Sequence, residues 1–154
     1  MTNANDLVYT TYIRTTPEKV WAAITNPEFT QAYWSKKNVS DWKTGSDWNH
    51  VDPDTGATLV TGKVLESAPP RRLVLSWASA QDAADESQVT FEIEAVGDMV
   101  RLEVTHAKFS QGSGMRDKVS GGWPRVISSM KTWLETGMPL DTWAAYGTSC
   151  HAAA

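Results

Sequence analysis

The chain has one cysteine, Cys150, so it forms no internal disulfide, and its cysteine usage fits a reducing compartment. Long apolar runs are also missing: no stretch approaches the ~18 residues of a membrane span. The polar start Met1-Thr2-Asn3-Ala4-Asn5-Asp6 lacks the cationic and apolar parts of a signal peptide. Basic clusters are absent too. Only Lys36-Lys37 and Arg71-Arg72 adjoin, and the formal charge is −4, which does not suit a nucleic-acid backbone. These absences predict a cytoplasmic protein with neither nucleic-acid nor membrane partners.

Tryptophan is abundant, with eight in 154 residues. Each ring buries about 150–250 Å² when packed, so eight require a large core, a lined cavity or an exposed binding face. The other proportions, 41% hydrophobic and 21% charged, are those of an ordinary globular domain.

Hydrophobic spacing predicts the order of elements. Leu7 to Thr15 reads as a strand with Tyr9, Thr11, Ile13 and Thr15 on one face. Thr16-Pro17-Glu18 has the form of a helix start, and Val20, Ala23 and Ile24 supply its buried stripe. Asn26-Pro27 stops that helix, and Pro27 begins a second one through Trp34. From Val39 to Lys108 the pattern is β, with breaks at 43–45, 52–56, 68–70, 78–86 and 97–98 that delimit about six strands. Val89, Phe91 and Ile93 face the same way as Val100, Leu102 and Val104, a hairpin with one dry face. Short turns between successive strands imply an antiparallel meander. Ser110 to Gly122, rich in Gly and Ser, reads as a loop. Trp123 to Gly137 reads as a helix whose stripe is Trp123, Val126, Ile127, Met130 and Leu134. The expected organisation is one α+β domain over residues 7–137 and a tail over 138–154.

Three phrases carry a resemblance. Thr16-Pro17-Glu18-Lys19-Val20-Trp21-Ala22-Ala23-Ile24-Thr25-Asn26-Pro27-Glu28 resembles the opening of the START-like superfamily, also called SRPBCC. Pro69-Pro70-Arg71-Arg72-Leu73-Val74-Leu75-Ser76-Trp77 is similar to a phrase of its branch related to the activator of heat-shock protein 90 ATPase. Gly121-Gly122-Trp123-Pro124, followed by Val126, Ile127, Leu134 and Glu135-Thr136-Gly137, resembles that branch's closing helix. The resemblance implies the helix-grip fold, a curved antiparallel sheet wrapped around a long C-terminal helix. Function varies widely on such a fold. Members bind lipids, polyketides, hormones or flavonoid-like molecules, a few catalyse reactions, and the eukaryotic namesake stimulates a chaperone ATPase.

A helix laid across a curved sheet leaves room for an apolar cavity with a few orienting polar groups. The candidate lining is Trp34, Trp42, Trp48, Trp77, Phe91, Leu102, Trp123, Ile127 and Met130; the competing reading is that these side chains simply fill the core. His106 falls on the same face as Val100, Leu102 and Val104, where an imidazole can orient a ligand or exchange a proton with it. The resemblance adds to this, because the branch often carries a Thr-His pair here, matched by Thr105-His106. A half-buried histidine bonded to a backbone carbonyl is the alternative. Glu92, Glu94 and Glu103 point away from the dry face and read as solvated, with Arg101 placed to pair with Glu92 or Glu94. His50 with Asp52 and Asp54 fits no common metal spacing, and Cys150-His151 has no triad partner nearby.

The function expected first is binding of a small hydrophobic or aromatic molecule between sheet and helix, with His106 setting its orientation. The alternatives are an enzyme acting on such a ligand with His106 as general acid or base, and a chaperone ATPase regulator or other interaction module. No catalytic set, cofactor or metal site is assigned. Trp143 and Tyr146 offer aromatic surface for a homodimer.

Overall fold

The computed structural model describes residues 4–142; Trp143, Tyr146, Cys150 and His151 lie outside them. The elements are β1 (Leu7–Ile13), α1 (Pro17–Thr25), α2 (Pro27–Trp34), β2 (Lys37–Val39), β3 (Asp47–Val51), β4 (Thr58–Ala68), β5 (Arg72–Ser79), β6 (Asp82–Val96), β7 (Met99–Ala107) and α3 (Gly114–Thr136). The strands form one antiparallel seven-stranded sheet in the order β1-β7-β6-β5-β4-β3-β2. With a long C-terminal helix against this curled sheet, the architecture is the helix-grip fold.

The opening follows its capping chemistry. The Thr16 side chain accepts from the Lys19 backbone N–H, and Pro17 takes the first turn of α1, where its missing N–H costs nothing. Asn26 serves both short helices. Its N–H closes α1 on the Ala22 carbonyl, while its side chain accepts from Glu28 N–H to start α2. Ser35, in the left-handed region at φ 66°, ends α2 and turns the chain into β2.

Three boundaries differ from the sequence expectation. The first strand ends at Ile13 rather than Thr15. β6 begins at Asp82, so most of the expected 78–86 break is strand, and a two-residue turn, Ala80-Gln81, joins it to β5. The largest difference is α3, which starts at Gly114 inside the expected 110–122 loop. Gly and Ser weaken a helix locally, but burial of Met115, Val119 and Gly122 continues the stripe of Trp123, Val126, Ile127 and Met130 by two turns. The N-terminus is held from outside the segment as well. Ser113 Oγ accepts from Arg116 N–H, and the carboxylate of Asp85 on β6 accepts from Met115 N–H and Ser110 Oγ. Hydrogen bonding holds the Asp85 carboxyl below its ordinary pKa, first from the Ser113 side chain to the carboxylate and then from Met115 N–H and Ser110.

Pro124 lies inside α3 and supplies no N–H for the carbonyl four residues earlier. That carbonyl, of Ser120, accepts instead from the Tyr9 hydroxyl at 3.0 Å, which ties β1 to the middle of the helix. The helix ends on Gly137 at φ 80°, whose N–H returns to the Trp133 carbonyl.

On the outer face, Arg101 does not pair with Glu92 or Glu94. Its guanidinium reaches Glu103 on its own strand at 2.8 Å, while Glu92 pairs with Arg72, which also holds Glu66. These carboxylates are exposed or half-exposed.

Candidate functional site

The interior is organised around Trp77 on the central strand β5, 1% exposed. Five rings surround it: Trp48 at 5.1 Å between centroids, His106 at 5.4 Å, Trp123 at 5.5 Å, His50 at 6.3 Å and Trp34 at 6.5 Å. Trp34 comes from the end of α2, Trp48 from β3, His106 from β7 and Trp123 from α3, so the two helices and the sheet meet here. Phe91 reaches the cluster edge-on through Trp123 at 6.0 Å. Leu102, Ile127 and Met130 belong to the same core. Trp42 stands apart, half-buried on the loop between β2 and β3 at φ 61°, packed on the margin of the core.

Trp48 shows how closely part of this interior is built. Its indole N–H donates to the Ser76 carbonyl at 2.8 Å, crossing β4 at Gly62. A Cβ on Gly62 would lie 1.9 Å from Ser76 O and 2.6 Å from Trp48 Nε1, so the residue facing Trp48 has to be glycine.

His106 is also fully engaged. Trp123 Nε1–H donates to its Nδ1 at 3.0 Å, which leaves the proton on Nε2, directed at Ser87 Oγ 2.7 Å away. Ser87 in turn donates to the Trp77 carbonyl at 3.2 Å. Phe109 stacks on the imidazole at 4.5 Å. Burial drives the pKa of His106 down to about 3, so the ring is neutral at physiological pH. The arrangement does not suit acid–base or nucleophilic chemistry. Both nitrogens are occupied, Ser87 Oγ receives the imidazole proton rather than surrendering its own, and the partner on Nδ1 is a donor rather than a carboxylate that would stabilise an imidazolium.

His50 is the second interior histidine, on the inward face of β3 with Trp48, and its Cα partner across the sheet is Asn38. Its Nδ1 lies 2.6 Å from Asn38 Oδ1, an acceptor, so the proton sits on Nδ1 and Nε2 carries a lone pair. Burial and then the charge of Lys36, itself only 2% exposed, lower its pKa to about 3. The imidazole packs 4.7 Å from Trp34 and 6.3 Å from Trp77. Asp52 is engaged elsewhere, accepting from Asp54 N–H in the next turn. Among the described residues, no group of three or more His, Cys, Asp or Glu side chains is placed to hold a metal.

These three neighbouring rings share an unusual property. Trp34 Nε1, Trp77 Nε1 and His50 Nε2 are buried polar atoms with no hydrogen-bond partner among the described residues. Leaving a buried donor or acceptor unpaired costs about 1–3 kcal/mol, so such atoms in one place call for a functional explanation. The sequence pointed to both tryptophans but considered His50 only as a metal ligand. The signal for it was available: alternation from Trp48 puts His50 on the inward face, as alternation from Leu102 does for His106. The surface hollows lie elsewhere. One of about 530 Å³ is lined by Pro17, Pro70, Arg72, Glu92, Glu94 and Arg101 among others, and Arg72 and Arg101 are bound to carboxylates.

Among the described residues, no helix is long and apolar enough to cross a membrane. Solved structures similar to this fold include CalU16 from Micromonospora echinospora, with 24% identity over 91% of this chain and 80% of that one and a TM-score of 0.71. An Hsp90 activator from Plasmodium falciparum shows 20% identity over 84% and 95%, with a TM-score of 0.70. The Aha1 dimer from Colwellia psychrerythraea shows 19% identity over 86% and 97%, with a TM-score of 0.71. No curated protein matches the sequence. The family model described as "Activator of Hsp90 ATPase homolog 1-like protein" matches residues 14–135, and with that span of the helix-grip fold covered, the chain belongs to this family.

Proposed function

We propose that this protein binds a small aromatic molecule in the interior between the curved sheet and α3. The observation that carries the reading is the set of three unpartnered polar atoms on Trp34, His50 and Trp77. A core that only had to be stable would gain by replacing them with apolar groups, since removing an unpaired buried donor or acceptor removes its desolvation cost. A ligand that supplies their partners recovers that cost on binding. Trp34, Trp77 and Trp123 offer faces for stacking, worth about 0.5–1.5 kcal/mol per ring pair beyond the buried area. The remaining sequence candidates, Trp48, Phe91, Leu102, His106, Ile127 and Met130, form the wall behind these faces in this reading, and Trp42 its outer margin. Because the rings are nearly free of solvent, the ligand takes the place of ring–ring contacts and its admission requires side chains to move.

Native mass spectrometry of the purified protein, before and after unfolding, tests the reading and records the oligomer. The expected result is a small aromatic compound, co-purified or added, that stays bound in the native spectrum and is released on unfolding. A protein that retains no such compound and gives no saturable change in tryptophan fluorescence with an aromatic panel would overturn it. Membership of the family supplies a second reading, regulation of a chaperone ATPase. A change in the cognate chaperone's ATPase rate would favour that reading. A dimer in the native spectrum would match the assembly named for the Colwellia structure.

A further inference from the structure

The chemistry of the three unpartnered atoms restricts the ligand further. The indole nitrogens of Trp34 and Trp77 can only donate. His50 Nε2 can only accept, because Asn38 Oδ1 fixes the proton on the other nitrogen. The three rings are mutual neighbours, with centroid separations of 4.7, 6.3 and 6.5 Å. The set to be matched is therefore two donors and one acceptor.

A hydroxyl has the complementary set, two acceptor lone pairs and one donor proton. A ketone or ether oxygen would satisfy both indoles but turn a lone pair towards His50 Nε2. A carboxylate would do the same with a full negative charge. An ammonium would present protons to two indole donors. From this inventory we infer that the ligand is an aromatic molecule carrying a hydroxyl group, a phenol or an aryl alcohol, whose oxygen accepts from Trp34 and Trp77 and whose proton is donated to His50. The inference rests on the aromatic-binding reading above and adds the functional group. The nearby buried Lys36 is the competing feature, since its ammonium would favour a carboxylate.

Calorimetry at neutral pH with three probes on one two-ring skeleton separates these cases: 2-naphthol, 2-methoxynaphthalene and 2-naphthoate. The naphthol is expected to bind about tenfold more tightly than its methyl ether, because a hydrogen bond to a buried acceptor is of that order, with the carboxylate weakest. In the His50→Phe variant the naphthol and its ether should bind equally, which loss of packing alone would not produce. Trp77→Phe, which removes one donor, should weaken both by a similar factor and serves if His50→Phe does not fold. Equal affinity for naphthol and ether in the unaltered protein would overturn the hydroxyl and leave aromatic binding standing. Tightest binding of the naphthoate would overturn it in favour of Lys36. No binding of any probe would remove the aromatic-binding reading, and this inference with it.

Discussion

On either side of Trp77 sits a buried histidine, and the two have nearly the same surroundings. His50 and His106 are both 0% exposed, both lie on inward strand faces, both contact the Trp77 ring, and burial lowers both to a pKa of about 3. They differ in what their nitrogens meet. Trp123 and Ser87 occupy both nitrogens of His106, whereas Asn38 occupies one nitrogen of His50 and the other has no partner among the described residues, like the indole N–H groups of the neighbouring Trp34 and Trp77. The interior thus has a closed half, where Trp48, Trp123 and His106 are all satisfied, and an open half of Trp34, Trp77 and His50. Burial and residue type do not distinguish a structural histidine from a binding one; the count of satisfied atoms does.

If the closed half is structural, breaking it should cost the most. Gly62→Ala should be the most damaging change, at about 3 kcal/mol or more, because the new methyl meets backbone that cannot move aside and displaces Trp48 from the Ser76 carbonyl. Urea unfolding measures it, and a loss below about 1 kcal/mol would mean that the strand crossing is looser than described. The histidines give the direct contrast. His106→Phe keeps a flat ring but leaves the Trp123 N–H buried without its acceptor, an expected loss of about 3 kcal/mol. His50→Phe gives up the Asn38 bond but also removes an unpaired lone pair, so about 1 kcal/mol is expected. Equal losses, measured the same way, would erase the distinction between the halves.

Much of this molecule could be read from local chemistry. Thr16-Pro17-Glu18 and Asn26-Pro27 place α1 and α2 because caps and prolines act within a few residues. The β6–β7 hairpin follows from alternation around Gly97-Asp98. The failures are non-local. The first two turns of α3 depend on a carboxylate from β6, Asp85, that stands 30 residues before Met115 in the chain. β6 begins in residues with little strand character because that end pairs with the end of β5, at Ser79 with Asp82 and Trp77 with Ser87. In the candidate site, alternation could place Trp48 and His50 on the inward face, but whether an indole or imidazole finds a partner depends on groups from four elements. Tyr9 beneath Pro124 is a further case: the sequence shows a proline that frees a carbonyl, not the hydroxyl that takes it.

The pH dependence of stability offers the finest comparison, because here the two histidines should behave alike. Each has a folded pKa of about 3 against an ordinary value of 6.5. Between those values the unfolded chain binds a proton that the folded chain does not. Stability is therefore fully present above about pH 6.5 and falls as the pH drops, by about 1.4 kcal/mol per pH unit for each histidine. From pH 5.5 to 4.5, before most carboxylates titrate, the two together should give about twice that slope. His50→Phe and His106→Phe should each remove half of it, although they differ in cost at pH 7. A variant that left the slope unchanged would show that its imidazole is already charged in the folded protein. At His50, a charged ring would carry a proton on Nε2, making all three unpartnered atoms donors, and the matching ligand group would then be an anion rather than a hydroxyl.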